Sequence, residues 1–372
     1  MGPEEAKARF AEWLRNRRLV KESLFLVSHK VTRELVPYRY SPALEYLSKN
    51  LSGKDFVLKS RQLYVTTYFE LEDLLSATLY PNWESLLLCR RDDDCKIFYD
   101  IYKSFYQQMP DEIERDGYKM AFKPRLVTDN IHLLEFEHSE GNSNLRIQGA
   151  QSLSMGRGYK LHNLHATEFA LWGQDYAQTA MAAALGAMAP GSTIKLETTA
   201  FGATGYAFDL YDASKRGDEL LKPIFLGWPL DDTATLSSTH PDCLPEDRME
   251  PLSNLTEAEL TLMRDWNLTE DGIRYRRWGR RKLQSRAVQE LAEDDISCFI
   301  QSGNTVFDLP TVEGYLSECY SPLTNDGELV MFHQPAFGTR YTMGVDVMEG
   351  FDRDEQDYHS IVVLDAHRLS VS

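Results

Sequence analysis

DFVLKSRQLYVTTYFELEDLLSATLY, residues 55–80, runs from a short apolar stretch through a polar loop into a helical pattern. Strand, loop and helix in that order form the geometry in which backbone N–H groups and a helix N-terminus cradle phosphates. The loop KSRQLYVTT (59–67) matches the pattern G-x-x-x-x-G-K-[ST] poorly, and alone it carries little weight. Its surroundings add weight. ESLLLCR (84–90) reads as a second strand, followed by a helix over 93–109 that Pro110 closes. IHLLEFEH (131–138) and NLRIQGAQ (144–151) flank EGN and read as a β-hairpin. YKLHNLHAT (159–167) and STIKLETT (192–199) read as buried strands with a helix over 174–188 between them. Apolar strands alternating with helices predict an α/β fold, a mainly parallel sheet between helices.

Phe10, Trp13, Leu14 and Leu19 predict an amphipathic helix over 3–20, a candidate docking arm. Residues 229–257 are rich in Pro, Asp, Ser and Thr and mark a boundary or a surface excursion. Helical segments follow at 255–266 and 269–292, and strands over 340–350 and 359–366 end the pattern. The 372 residues suggest roughly two domains. A composition 42% hydrophobic and 26% charged is that of an ordinary soluble globular chain. Five scattered Cys without zinc spacing predict reduced, mostly buried thiols, and the absence of a long apolar stretch predicts no membrane contact. A net charge of −17 excludes a large nonspecific DNA-binding surface, because such binding runs on Lys and Arg. The basic run Arg274, Arg276, Arg277, Arg280, Arg281, Lys282 and Arg286 is either a local DNA contact or a helix face balancing Glu290, Glu293, Asp294 and Asp295.

In the order of its motifs the chain resembles the large subunit of tailed-bacteriophage terminase over residues 25–372. The loop K-S-R-Q, the turn SMGRGYK (154–160), the strand end LHNLHATEFALW (161–172), the Thr pair in STIKLETTAFGATG (192–205) and YTMGVDVMEG (341–350) carry the likeness. Tyr64 stands where that family has Gly, Val65 where many members have Lys, and Thr167 where an Asp is usual. The resemblance implies a P-loop, ASCE-type NTPase with ATP and Mg2+ as cofactors. On it, Lys59, Ser60, Arg61, Gln62, Thr66 and Thr67 bind nucleotide, with Lys59 and Arg61 on the β- and γ-phosphates. Thr66 and Thr167 serve the metal, Glu168 is the catalytic base, Arg157 a finger reaching a neighbouring subunit, Arg61 a finger acting in cis, and Thr199 part of the coupling motif with Thr198 and Gly202. The Lys59 loop and Glu168 are expected across adjacent strand ends. Taken without the resemblance, Glu168 reads rather as an exposed helix-start carboxylate stabilised by the dipole, and Arg157 equally as a turn-stabilising residue.

The implied layout is an N-terminal arm at 1–50, an ATPase core at 51–230, a small lid at 231–328 and the start of an RNase H-like nuclease at 329–372, with Asp346 as metal ligand. Two-metal cleavage needs further carboxylates from later elements of such a nuclease, so nuclease activity is expected to be absent, and residues 330–372 are expected to be mobile or prone to association. The implied role is translocation of double-stranded DNA into a procapsid, in the cytoplasm of the bacterial host. The implied partners are the portal protein and small terminase subunit, and the implied assembly is a homo-oligomeric ring. The alternative is a terminase-like remnant or binding subunit that cannot bind ATP. A helicase would need strand-contacting motifs that the sequence does not show.

Overall fold

The computed structural model describes residues 3–151, 160–299, 323–325, 330–331, 333–346 and 360–365. The chain packs as two units, Met1–Gly303 and Asn304–Ser372. The first begins with α1 (Pro3–Arg15), α2 (Arg17–Leu24), β1 (Leu26–Ser28), β2 (Leu35–Pro37) and α3 (Pro42–Asn50). Next come β3 (Lys54–Lys59), α4 (Val65–Leu79), β4 (Glu84–Cys89), α5 (Cys95–Gln108), β5 (Glu112–Arg115), β6 (Tyr118–Ala121), β7 (Leu126–Asn130), β8 (Leu133–Phe136) and β9 (Ser143–Gly149). It continues with β10 (Leu161–Thr167), α6 (Gln174–Gly186), β11 (Met188–Thr198), α7 (Tyr206–Arg216), β12 (Lys222–Leu226), α8 (Glu257–Trp266), α9 (Glu270–Leu283) and α10 (Ala287–Glu290).

An eight-stranded sheet in the order β12-β3-β11-β10-β4-β9-β8-β7 organises this unit. From β12 to β9 every pairing is parallel, and only β8 runs against its neighbours. Alternation along β3 sorts its side chains between two cores. Val57 packs in the cluster that holds Phe69 and Leu71 of α4 and Tyr102 of α5. Phe56 and Leu58 join Ala177, Ala180, Met181 and Ala184, which recur at helical spacing on α6. Leu86, Leu87 and Leu88 of β4 are fully buried, each worth roughly 1.5–3 kcal/mol of transfer free energy.

Several expectations need correction. The 3–20 helix is two helices broken at Asn16, whose side chain caps α2 by accepting from the Leu19 N–H at 3.2 Å. It is no free arm, since Phe10, Trp13 and Val20 are buried in the α4 cluster. The 269–292 helix stops at Leu283, where Gln284 takes φ 50. The hairpin of β8 and β9 is present, but β9 also pairs with β4 and extends the main sheet. Strands β1, β2, β5, β6 and β7 are only three to five residues long, too short to show periodicity.

Most of the basic run is paired within the unit. Arg274 and Arg276 are buried, the first on Glu270 and Asp271, the second on Glu293. Arg277 pairs with Asp247 and Glu259, Arg280 with Glu293 and Arg281 with Glu246. Guanidiniums committed to carboxylates this way fix α9 to the segments around it and leave little free charge for DNA. Of the cysteines, Cys89, Cys95, Cys243 and Cys298 are free and buried, as expected.

In the second unit, β13 (Thr324–Asn325) pairs with β14 (Val330–Met331), and β15 (Tyr341–Asp346) pairs with β16 (Ser360–Asp365), both antiparallel. The hairpin expected of the last segment is therefore present. Asp346 closes β15 opposite Ser360.

Candidate functional site

The C-terminal ends of β3, β10 and β11 gather the sequence-derived candidates. This is the edge where open α/β sheets bind ligands. After Lys59 the chain turns through Ser60–Tyr64 with two residues in the left-handed region, Gln62 at φ 60 and Tyr64 at φ 59. Tyr64 occupies the N-cap of α4 in that conformation and makes no capping hydrogen bond, so the first-turn N–H groups keep their anion-binding capacity. A positive φ is what the family's Gly at this position would supply, and a Tyr bears it at a cost of about 1 kcal/mol or more.

The ring of Tyr64 offsets that cost elsewhere. Its hydroxyl donates to the Ser28 carbonyl at 3.1 Å and accepts from the Lys30 N–H at 3.0 Å. Lys30 in turn pairs with Asp231. The side chain is thereby drawn toward the β1–β2 connection. Ser60 is committed as well: its N–H donates to Leu226 O at 2.8 Å and its hydroxyl to Ala292 O at 3.2 Å. It anchors the loop.

Around this edge lies a cavity of about 430 Å³ lined by Arg61, Glu168, Leu171, Thr199, Ala200, Phe201, Ser285, Arg286, Gln289 and Glu290. The structure thus brings Arg61, Glu168 and Thr199 together. Glu168 takes φ 52 as the chain leaves β10, and its side chain is exposed. Thr198 braces that turn by accepting from the Ala170 N–H at 3.0 Å. Glu168 and the Lys59 loop do lie at the same end of the sheet, but β11 stands between their strands, so they are not on adjacent strands. Arg61 is 63% exposed and held by Glu290, with Nε 3.1 Å from its carboxylate. Gln62 is exposed and lines a second cavity of about 520 Å³ with Arg61, Trp228, Tyr275 and Trp278. Arg157 lies outside the described residues, as does the side chain of Asp346.

Beneath the cavity edge is a residue that sequence reasoning missed. Glu197, fully buried on β11, accepts from Thr66 Oγ1 at 2.8 Å and from Thr167 Oγ1 at 2.5 Å. Lys59 Nζ lies 3.1 Å from Oε2, the other oxygen, and His165 Nε2 lies 3.7 Å from Oε1. On the far side of His165, Asp73 Oδ2 is 3.0 Å from Nδ1, while Lys195, Tyr102 and Asn163 also reach Asp73. Burial works against charge on His165, but the two carboxylates prevail and raise its pKa to about 9. Burial likewise opposes ionisation of Glu197, yet Lys59 and then His165 hold it well below the usual carboxylate range. Asp73 is pulled to about 2, against its burial, chiefly by Lys195 and His165. Glu70, buried on α4 without a hydrogen-bond partner, is pushed well above the normal range by burial.

No protein family matches the chain, and no curated protein does. Among solved structures it is similar to the ATPase domain of the large terminase of Thermus phage P74-26, with TM-score 0.45 and 10% identity over 71% of this chain and 94% of that one. It is also similar to the large terminase of another thermophilic bacteriophage, with TM-score 0.39 and 12% identity over 54% of this chain and 48% of that one. The match to that second terminase in complex with ATP-gamma-S has TM-score 0.37 and 11% identity over 52% of this chain and 46% of that one. The match therefore spans about half the length of the second terminase. With TM-scores below 0.5, these likenesses carry none of the functional reading.

As for a metal, no three Asp, Glu, His or Cys among the described residues converge on a point. The oxygens of Thr66 and Thr167 still suit a hard cation that takes its remaining ligands from water and phosphate.

Two measurements follow from this geometry. His165 has a raised pKa, so its contribution to stability is complete below its unfolded value near 6.5 and is lost as pH rises toward 9. Glu70, also raised, acts in the same direction, whereas Lys21, lowered to about 8 by burial, offsets the trend only above that pH. Urea unfolding should show stability falling by on the order of 2 kcal/mol between pH 6.5 and 8. A flat profile there contradicts a charged His165. In the second measurement, Tyr64→Gly should leave ATP-gamma-S affinity within about threefold of wild type, because the Tyr64 ring is drawn away from the cavity. A tightening of about tenfold or more would show that Tyr64 blocks the site.

Proposed function

We propose that this chain binds ATP over the C-terminal ends of β3, β10 and β11 and hydrolyses it as a DNA-packaging motor subunit of the terminase type. The observation that carries the reading is the convergence of Arg61, Glu168 and Thr199 on one cavity, above a Lys59–Glu197–Thr66 cluster at the same sheet edge. The strand order, with β11 between the loop strand and the acidic strand, supports an ASCE-type reading.

Each residue has a role that its position supports. The first-turn N–H groups of α4 and the side chains of Lys59 and Arg61 meet the phosphate charge, in a loop whose backbone already turns through positive φ. Arg61 gives up an exposed pair with Glu290 worth less than about 1 kcal/mol, so exchange onto a phosphate is easy. Glu168, exposed to the cavity, orients the attacking water and takes its proton. Thr199, at the mouth of β11, reads the γ-phosphate and passes its loss to the segment that follows. Thr66 and Thr167 hold the Mg2+ that accompanies the nucleotide, which neutralises charge on the phosphates. Arg157 remains the candidate for a finger acting on a neighbouring subunit in a ring, and the β15–β16 hairpin with Asp346 the candidate start of an RNase H-like fold. Double-stranded DNA, the portal protein and the small terminase subunit are the partners this reading assigns. With the α9 arginines committed internally, the DNA contact falls to other residues.

A second reading has one observation in its favour. Both phosphate-loop cations, Lys59 and Arg61, are neutralised by carboxylates of the chain itself, as they would be in a protein that no longer binds ATP.

Turnover separates the two. Wild type should hydrolyse ATP, and Glu168→Gln should lower kcat by about 100-fold or more while nucleotide affinity changes little. Equal, slow hydrolysis by both proteins removes Glu168 from the mechanism. No binding by either favours the inactive reading.

A further inference from the structure

A hydroxyl has one proton to donate and two lone pairs to offer. Thr66, in the first turn of α4, and Thr167, at the end of β10, both direct their proton to Glu197 Oε1. Their lone pairs are thereby left free to accept or to ligate. A freely rotating hydroxyl would not hold that orientation, and Glu197 is itself immobilised by burial between Lys59 and His165.

Register explains how a carboxylate on β11 reaches this point. Thr167 and Glu197 are direct partners in the parallel β10–β11 pairing, so their side chains leave the same face side by side. The acidic strand resembles one that ends in Asp followed by Glu, and here the Asp position holds Thr167. A carboxylate is nevertheless present at that level of the sheet, one strand across, and it takes the hydroxyl of residue 167 as well as that of Thr66.

We propose that Glu197 supplies from the neighbouring strand the positioning carboxylate that residue 167 lacks, fixing Thr66 and Thr167 as oxygen ligands for the Mg2+ of a bound nucleotide. The proposal rests on the ATP-binding reading above. Glu197 Oε2 has its 3.1 Å ion pair with Lys59 and no other hydrogen-bond partner among the described residues, so the carboxylate can part with Lys59 when phosphate claims it and keep His165 as counter-charge. On this account the chain does not lack the acidic partner of its phosphate loop. It carries that partner on the next strand.

The test is titration of the full chain with ATP-gamma-S in Mg2+ and in EDTA, with folding of each variant checked by thermal melting. Wild type should bind more tightly with Mg2+. Glu197→Gln should lose about 10-fold or more of that Mg2+-dependent gain, the cost expected when a partner behind a metal ligand is removed. Its affinity in EDTA should stay within about threefold of wild type. Thr66→Val, at a half-buried site, should show the same selective loss, and Thr66→Ser should not. The double variant Thr167→Asp with Glu197→Thr moves the carboxylate back to β10 and should recover Mg2+ dependence. A Mg2+-dependent gain that survives in folded Glu197→Gln or in Thr66→Val overturns the proposal and leaves ATP binding standing. If Glu197→Gln does not fold, Thr66→Val and Thr66→Ser decide. A wild-type chain that binds no nucleotide under either condition overturns both readings together.

Discussion

The fully buried carboxylate of Glu197 is the constraint on which the rest of this structure turns. Removing a carboxylate from water is tolerated only if charge and hydrogen bonds replace the water, and here Lys59, His165, Thr66 and Thr167 all do so. The charges then alternate inward from the sheet edge through Lys59, Glu197, His165, Asp73 and Lys195. Each member makes the next tolerable. This row joins β3, β11, β10 and α4, and it places the loop at Lys59 and the first turn of α4 relative to the strand ends.

The same row sets what the loop can do. The Arg61–Glu290 pair is exposed and costs little to break, so Arg61 is available to any anion that enters the cavity. The Lys59–Glu197 pair is different. Stripping the only counter-charge from a buried carboxylate costs about 3–5 kcal/mol, which a phosphate would have to offset. Because His165 remains charged beside Glu197, Lys59 can leave without stranding it. The site is thus built to exchange one of its ion pairs for a ligand and retain the other.

Much of this was legible in the sequence where a local pattern decides. DFVLK and SLLL are apolar runs that alternate between two cores, so their strands were readable, as were the helices between strands. Tyr64 stands at the position where the resembled family has Gly, and it adopts the positive φ that a Gly accommodates. Thr66, Thr167, Glu168 and Thr199 were located by order along the chain, and three strand ends bring them to one place. Glu197 was not legible. In STIKLETT it reads as one polar residue of an alternating strand, and its meaning depends on the β10–β11 register, which no local periodicity encodes. The basic run was half legible: its balance with Glu293 could be foreseen, but the burial of Arg274 and Arg276 comes from packing against segments distant in sequence. The break after Leu283 was hidden because helix-forming residues continue past it.

The central claim is that a triphosphate belongs at the edge where Lys59, Arg61 and Glu168 meet. A crystal structure of the chain with ATP-gamma-S and Mg2+ tests it most directly. The account predicts phosphates over the first turn of α4, with Lys59 moved from Glu197 and Arg61 moved from Glu290 onto them, and Thr66 Oγ1 still donating to Glu197. Nucleotide bound elsewhere, or a loop in which Lys59 and Arg61 keep their carboxylate partners while the ligand occupies the cavity, would contradict it.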